Sequence, residues 1–265
     1  MGSTNLFLRD EREVPFLRDE LQKVLVLADG SSRNIRVRED DDFGFMAMQF
    51  LYKQMQHAES VLKLIPSRDA CLVARTMIEG RYQLLWTWQT PEERSKRWRS
   101  FSIIHDWRLI QRQLAEGIWV DPAEIRHNEA RLQELGDLHR INNPRPNTTD
   151  PYHKNWRGGV TLSNMADATD RELYDGPYAE LSDWEHWGVS GIGDAISRHD
   201  GHLSVSSTSE RVAGLSLLSA FQSLLQTLEL ADAHFSFNIA ETIQTIARDF
   251  RTTIDSFYEQ RTIPE

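Results

Sequence analysis

Cysteine is almost absent from this chain of 265 residues: Cys71 is the only one, which excludes an internal disulfide. Long apolar runs are also missing, and none reaches the ~18 residues that a membrane-spanning helix needs. The N-terminal stretch reaches charged side chains by Arg9 and lacks the apolar core of a signal peptide. Together these absences predict a cytoplasmic protein that does not enter a membrane.

Positively charged residues are fewer than negatively charged ones: the chain has 30 Lys and Arg residues and 40 Asp and Glu residues, which gives a net charge of −10. This balance disfavours non-specific binding to nucleic acid. The exception is the basic strip at 94–112, in which six basic residues accompany a single acidic residue, Asp106. Its candidate nucleic-acid-binding residues are Arg94, Lys96, Arg97, Arg108 and Arg112.

The alternating pattern of β-strands is nearly absent, whereas the helical period of apolar residues dominates. Prolines, asparagines and glycines interrupt this period in the middle of the chain. We therefore predict an all-α, single-domain helical bundle with two long loops, at about 140–162 and 188–207. An N-terminal helix and its lead-in occupy 1–38, and the bundle domain occupies 39–260.

One helix of this bundle carries a charge pair in an apolar setting. The segment VARTMIEGRYQLLWTW is apolar on most sides, yet Arg75 and Glu79 lie one turn apart on the same face. Arg before Glu is the less favourable order for a pair within a helix, so local stabilisation explains it poorly. We therefore expect a partner for this pair on another helix.

The residues around this pair resemble the bacterial domain of unknown function 5677 family. The segment ARTMIEGRYQLLW is similar to its signature helix, and YAELSDWEHWGVSG is similar to a later segment that contains Tyr178, Ser182 and His186. The resemblance implies a helical bundle and, in some gene neighbourhoods, a phage-defence context, but no established activity. The chain departs from the pattern in having Thr76 at the position of a serine.

The resemblance places a candidate pocket between these two segments. Arg75, Glu79 and His186 are its candidate catalytic residues, and its pocket residues are Tyr178, Ser182 and Tyr82. The alternative is structural: the pair and the histidine form a buried ion-pair network that fixes the helix register.

A second spacing lies within the basic strip, where five residues separate Arg99 from His105. This Arg-x5-His spacing is similar to the motif of HEPN ribonucleases, which act on the scissile phosphate of RNA. The resemblance implies that Arg99 stabilises negative charge and that His105 transfers a proton. The alternative is a solvated basic face with His105 at its edge.

Three functions therefore stay open. The first is a HEPN-like protein that binds or cleaves RNA, as a phage-defence or toxin effector. The second is a non-enzymatic sensor or scaffold that binds a partner protein or a small anion. The third is a di-iron-like metal-binding bundle, suggested by the Glu-x-x-His unit of Glu124 and His127, although we predict no metal site.

The sequence carries no Walker loop and no dinucleotide fingerprint, so we predict no cofactor. RNA and a partner protein are the expected partners. A homodimer could form through the apolar terminal helices, although packing within one core explains their apolar residues equally well.

Overall fold

The computed structural model describes residues 13–144, 149–185 and 196–259. The helices are, in chain order, α1 (Glu13–Ser32), α2 (Asp42–Leu64), α3 (Ala70–Trp88), α4 (Pro91–Ser100), α5 (Ser102–Ala115), α6 (Pro122–Leu135), α7 (Leu162–Ala168), α8 (Ala179–Glu185), α9 (Glu210–Phe235) and α10 (Ala240–Glu259). A 3₁₀ turn (Gly136–His139) follows α6, and a π-helical turn (Tyr174–Tyr178) precedes α8. The all-α prediction is confirmed. Among the described helices, none is long and apolar enough to cross a membrane.

Helix α9 lies at the centre of the bundle and packs against α3, α2 and α1. Its long apolar side chains are buried, and small polar residues are buried among them, which lets neighbouring helices approach closely. Two of these polar residues satisfy their hydroxyls within the helix: Ser216 donates to the carbonyl oxygen of Val212 at 2.7 Å, and Thr227 donates to that of Ser223 at 2.8 Å. The core therefore surrounds α9.

Helices α1 and α10 belong to the same core. Leu17, Leu21 and Val24 of α1 are buried in it, and the amphipathic α10 adds Ile243 and stacks Phe250 on Phe221 of α9 at 4.3 Å between ring centroids. The division of the chain near residue 38 remains a prediction, but the N-terminal helix shares its apolar contacts with the bundle.

Two details of the chain differ from the sequence expectation. Helical periodicity in the sequence runs from Pro91 to about Gly117 and predicts one helix, but the chain bends at Phe101 into α4 and α5. At this bend the hydroxyl of Ser100 donates to the carbonyl oxygen of Lys96 at 2.8 Å, and such bonds compete with the helical backbone bonds. The second predicted loop contains an antiparallel hairpin, β1 (Ile196–His199) and β2 (His202–Val205), in its described part.

Arg81 of α3 is the largest polar side chain in the core and is only 1% exposed. Its guanidinium donates to Asp170 Oδ2 at 2.7 Å and to the side-chain oxygen of Gln226 in α9. The neighbouring Tyr82 hydroxyl donates to the carbonyl oxygen of Asp170 at 2.7 Å. Arg81 therefore ties α3 to α9 and to the segment that follows α7.

We expect Arg81→Ala to lower the free energy of unfolding by about 2–4 kcal/mol, because it leaves a cavity in the core and removes the bonds to Asp170 and Gln226. The matched control is Arg33→Ala, whose exposed pair with Asp29 should contribute little to stability. Urea unfolding of both variants measures the difference. Equal losses of stability would contradict the role given to Arg81.

His139 is fully buried, and its Nε2 lies 2.9 Å from Ser100 Oγ. Burial, together with the nearby charges of Arg97 and His153, lowers the pKa of His139 from 6.5 to about 4. The imidazole is therefore neutral in the folded protein at neutral pH.

This lowered pKa predicts a loss of stability in mild acid. As the pH falls from about 6.5 towards about 4, the unfolded chain takes up a proton at His139 that the folded chain resists, at a cost reaching about 3 kcal/mol. In chemical unfolding at stepped pH, His139→Gln should flatten this dependence. His105→Gln, which removes an exposed imidazole, should leave it unchanged, and a parallel change in both variants would refute the assignment.

Candidate ligand-binding site

The charge pair of α3 meets a tyrosine from across the bundle. Arg75 Nη2 donates to the Tyr178 hydroxyl at 3.1 Å, and this hydroxyl donates to Glu79 Oε1 at 3.0 Å. Arg75 Nη2 lies 3.3 Å from the same Glu79 oxygen. The three side chains form a closed set of contacts, which we call the Tyr178 triangle. Both charged side chains are partly exposed, Arg75 by 17% and Glu79 by 35%.

The backbone around Tyr178 explains its position. The π-helical turn Tyr174–Tyr178 contains Pro177, whose nitrogen has no hydrogen to donate to the regular helical pattern. The turn stacks the rings of Tyr174 and Tyr178 at 5.2 Å between centroids. Burial raises the pKa of the Tyr178 phenol, although the hydrogen bond from Arg75 opposes this, so the hydroxyl keeps its proton at neutral pH.

The other residues predicted for this pocket lie in three different environments. Ser182 donates to the carbonyl oxygen of Tyr178 at 2.7 Å, which is a bond along α8. Tyr82 is fully buried beside Arg81, and its hydroxyl bonds to the backbone of Asp170. It therefore fixes the segment after α7 and takes no part in the Tyr178 triangle. His186 lies outside the described residues, and its place relative to the triangle stays a prediction.

Glu79 also borders a groove of about 310 Å³ between α2, α3 and α4. We call it the α2–α3 groove. It is lined by Gln49, Phe50, Lys53, Gln54, His57, Thr76, Glu79, Gly80, Gln83 and Trp98. One residue of the triangle, Glu79, therefore forms part of the wall of an open cavity on the protein surface.

Gln54 is the most buried polar residue of this groove, at 2% exposure. Its Nε2 donates to the carbonyl oxygen of Met77 at 2.8 Å, while its Oε1 is buried without a partner among the described residues. Gly80 makes this position available, because a Cβ atom there would lie 3.2 Å from Gln54 Nε2. Buried amide oxygens without a partner are rare and call for a physical explanation.

His57 lies one turn along α2 from Gln54, and its Nε2 is also buried without a partner among the described residues. Burial, followed by the charge of Lys53, lowers the pKa of His57, so the ring is neutral at neutral pH. Phe50 and Trp98 meet edge to face at 5.8 Å between centroids. The groove thus combines aromatic surface with polar atoms that lack partners inside the protein.

Much of the basic strip is engaged in contacts within the protein. Arg94 lies 3.9 Å above the Trp86 ring. Arg99 donates to Asp42 Oδ1 at 2.8 Å, and Arg108 donates to Asp150 Oδ2 at 2.8 Å. These guanidinium groups have carboxylate, carbonyl or aromatic partners, which reduces the charge that they offer to a phosphate.

The remaining residues of the strip differ in exposure. Lys96, Arg112 and His105 are exposed, whereas Arg97 is half-buried beside Gly158. The His105 ring meets the Phe101 ring edge to face at 4.9 Å. Their part in binding or cleaving RNA stays a prediction.

The remaining candidate groups give little support to metal binding or to nucleophilic catalysis. No group of three or more His, Cys, Asp or Glu residues within the described ranges could hold a metal ion. Glu124 and His127 are both exposed on α6. Cys71 is buried, and burial raises the pKa of its thiol to about 11, which disfavours the reactive thiolate. Thr76, in the groove wall, already donates its hydroxyl to the carbonyl oxygen of Leu72 at 2.9 Å.

Gln54 and His57 are not among the site residues predicted from the sequence. Phe50, Gln54 and His57 follow the spacing i, i+4 and i+7, which places them on one face of α2. Two polar residues on a face that continues an aromatic one were a detectable signal. The room for the Gln54 amide depends on Gly80 of another helix, and no spacing within α2 shows it.

We expect Tyr178→Phe to lower the free energy of unfolding by about 1–2 kcal/mol, because it removes a hydroxyl that bonds to both Arg75 and Glu79. Tyr174→Phe is the control, since its ring stacks on Tyr178 but its hydroxyl takes no part in the triangle. Chemical unfolding of both variants provides the comparison. The triangle would have no energetic role if both variants were as stable as the wild type.

Comparison with known proteins places these residues within one family. Residues 45–203, more than half of the chain, match the model of a family of unknown function (DUF5677). No curated protein and no solved structure matches the chain. The matched range includes Gln54, His57, Arg75, Glu79 and Tyr178. The chain therefore belongs to the DUF5677 family, whose function is unknown.

Proposed function

We propose that this protein is a helical binding protein, acting as a sensor or scaffold, and that its ligand is a small polar molecule held in the α2–α3 groove. The observation that carries this proposal is the buried Oε1 of Gln54, which lacks a partner among the described residues. A buried acceptor without a donor costs about 1–3 kcal/mol, and a ligand that turns the Gln54 amide towards the groove and supplies an N–H or O–H group removes this cost. The groove thus gains from being occupied.

The groove has the properties of a recognition site. Its volume of about 310 Å³ suits a compact small molecule. The Tyr178 triangle supports one wall of the groove by fixing the Glu79 side chain. The Gln83 side chain also bonds to this residue, because its amide donates to the carbonyl oxygen of Glu79 at 3.2 Å. Such prior ordering lowers the entropic cost of binding. The polar groups of the groove support recognition better than they support a covalent step.

Substitution of Gln54 tests this proposal. We expect Gln54→Leu to change the stability of the free protein by no more than about 1 kcal/mol, because the change removes a buried acceptor without a partner together with the bond from Nε2 to the carbonyl oxygen of Met77. Gln56→Leu is the matched control, since Gln56 is an exposed residue of the same helix. A loss of several kcal/mol in Gln54→Leu alone would assign Gln54 a structural role instead.

The same variants identify the ligand. Thermal unfolding is measured with a panel of nucleosides, amino acids, amines and small anions. A ligand at about 100 times its Kd stabilises the folded state by about 2.7 kcal/mol. A true ligand raises the melting temperature of the wild type and of Gln56→Leu but not of Gln54→Leu. The proposal fails if no compound does so.

RNA binding or cleavage, as by a phage-defence or toxin effector, is the second candidate function. Its support is the exposed group of Lys96, Arg112 and His105. A cleavage assay on single-stranded RNA with the wild type, His105→Ala and His186→Ala tests it. Cleavage that both substitutions leave unchanged, or no cleavage by the wild type, would remove the nuclease hypothesis.

A further inference from the structure

A second polar cluster lies where α4 meets the loop at 150–161. Arg97 Nη2 lies 3.1 Å, and His153 Cδ2 lies 3.6 Å, from the position that a Cβ atom on Gly158 would occupy. The guanidinium and the imidazole therefore approach the same point, above a residue that has no side chain. We call Arg97, His153 and Gly158 the Arg97 cluster. None of these three residues lines the α2–α3 groove.

Contacts with the helices hold the loop of this cluster in place. The backbone N–H of His153 donates to the carbonyl oxygen of His139 at 2.9 Å, and Arg108 donates to the carbonyl oxygen of His153 at 2.9 Å. The indole N–H of Trp156 donates to the side-chain oxygen of Gln83 at 3.2 Å. The loop is thus ordered without a ligand, which lowers the entropic cost of binding one.

The positive charge of Arg97 is not neutralised by the acidic residues nearest to it along the chain. Its guanidinium forms no ion pair or hydrogen bond with another described residue. Glu93, one turn earlier on α4, is exposed and does not pair with it. Asp150, the carboxylate of the loop, is bonded to Arg108. An anion from solution is therefore free to pair with Arg97.

The loop adds further positive charge. Lys154 is exposed and Arg157 is partly exposed, and neither forms an ion pair within the described part of the chain. Burial, followed by the charge of Arg97, lowers the pKa of His153, so its ring is neutral at neutral pH and still donates one N–H. The result is a local region of positive potential on a chain with a net charge of −10.

This region is open to solvent. Arg97 and His153 are only partly buried. Nothing lies within 4 Å of the position that a Cβ atom on Gly159 would occupy, so the surface beside Gly158 is unobstructed. A ligand can therefore approach the backbone of the two glycines closely.

We propose that the Arg97 cluster binds the phosphate group of a phosphate monoester, at a site separate from the α2–α3 groove and independent of the function proposed for that groove. A guanidinium binds a phosphate through two parallel N–H bonds, and the imidazole adds a third donor. A phosphate monoester carries a charge of about −1.5 to −2 at neutral pH. This charge suits several neighbouring cations better than the single charge of a carboxylate or a phosphodiester.

Isothermal titration of the full chain at constant ionic strength tests this proposal. We expect phenyl phosphate and inorganic phosphate to bind. Dimethyl phosphate and acetate, which carry one negative charge, should bind at least about tenfold more weakly because they form fewer charge-assisted hydrogen bonds. Phosphate binding that is absent, or no stronger than that of acetate, would overturn the proposal.

Substitutions locate the binding. Arg97→Gln should weaken phenyl phosphate binding at least about tenfold, because it removes the paired N–H donors. Arg126→Gln, the same change at an exposed position of α6, is the matched control and should leave the affinity unchanged. Equal affinities of these two variants would place the phosphate elsewhere and overturn the proposal.

Two milder substitutions cover the case in which Arg97→Gln does not fold, as judged from its melting curve. Arg97→Lys keeps the charge but loses the paired donors, so it should bind phenyl phosphate more weakly than the wild type. Lys154→Gln, at an exposed position, should also weaken binding because it removes a neighbouring charge. Phenyl phosphate binding that neither change weakens would refute the assignment.

A phosphate monoester occurs in small molecules and at the 5′ end of RNA, and a further comparison separates these sources. A short single-stranded RNA with a 5′-phosphate is titrated beside the same RNA with a 5′-hydroxyl. Preference for the phosphorylated RNA that Arg97→Gln abolishes supports the proposal with an RNA end as the source. Equal binding of the two RNAs, together with Arg97-dependent binding of phenyl phosphate, supports it with a small molecule as the source.

Discussion

The segment from Asp170 to Tyr178 is held to α3 at both of its ends by polar contacts with a single helix. At one end Arg81 and Tyr82 bond to Asp170, and at the other end Tyr178 closes the triangle. Because α3 itself packs against the central helix α9, these contacts connect the segment after α7 to the core. The position of Tyr178, and with it the orientation of Glu79 towards the groove, depends on this double attachment.

Much of the fold could be predicted from the sequence, because each helix carries its own period of apolar residues. The apolar stripe of α10 and the largely apolar sides of α3 are examples, and both segments are helices in the structure. The hairpin could also have been predicted, since Asp200-Gly201 lies between two short alternating stretches and favours a tight turn. The bend at Phe101 was harder to foresee, because serines also occur within unbroken helices.

The candidate site could likewise be predicted only in part. The order of Arg75 and Glu79 pointed to a partner on another helix, and the family resemblance directed the search to the segment that contains Tyr178. The groove could not be predicted, since it depends on how close α2 lies to α3. That distance follows from the packing of both helices against α9, and no motif in either helix records it.

The glycine at position 80 has a meaning beyond this one chain. Its single hydrogen leaves room for the Gln54 amide, and any larger side chain must displace that amide or move the helices apart. In other members of the family, the residue type at the aligned position thus indicates, from sequence alone, whether there is room for this amide. Members with glycine there and glutamine on the facing helix have room for the same arrangement, whereas members with a bulky residue there must place the glutamine amide differently.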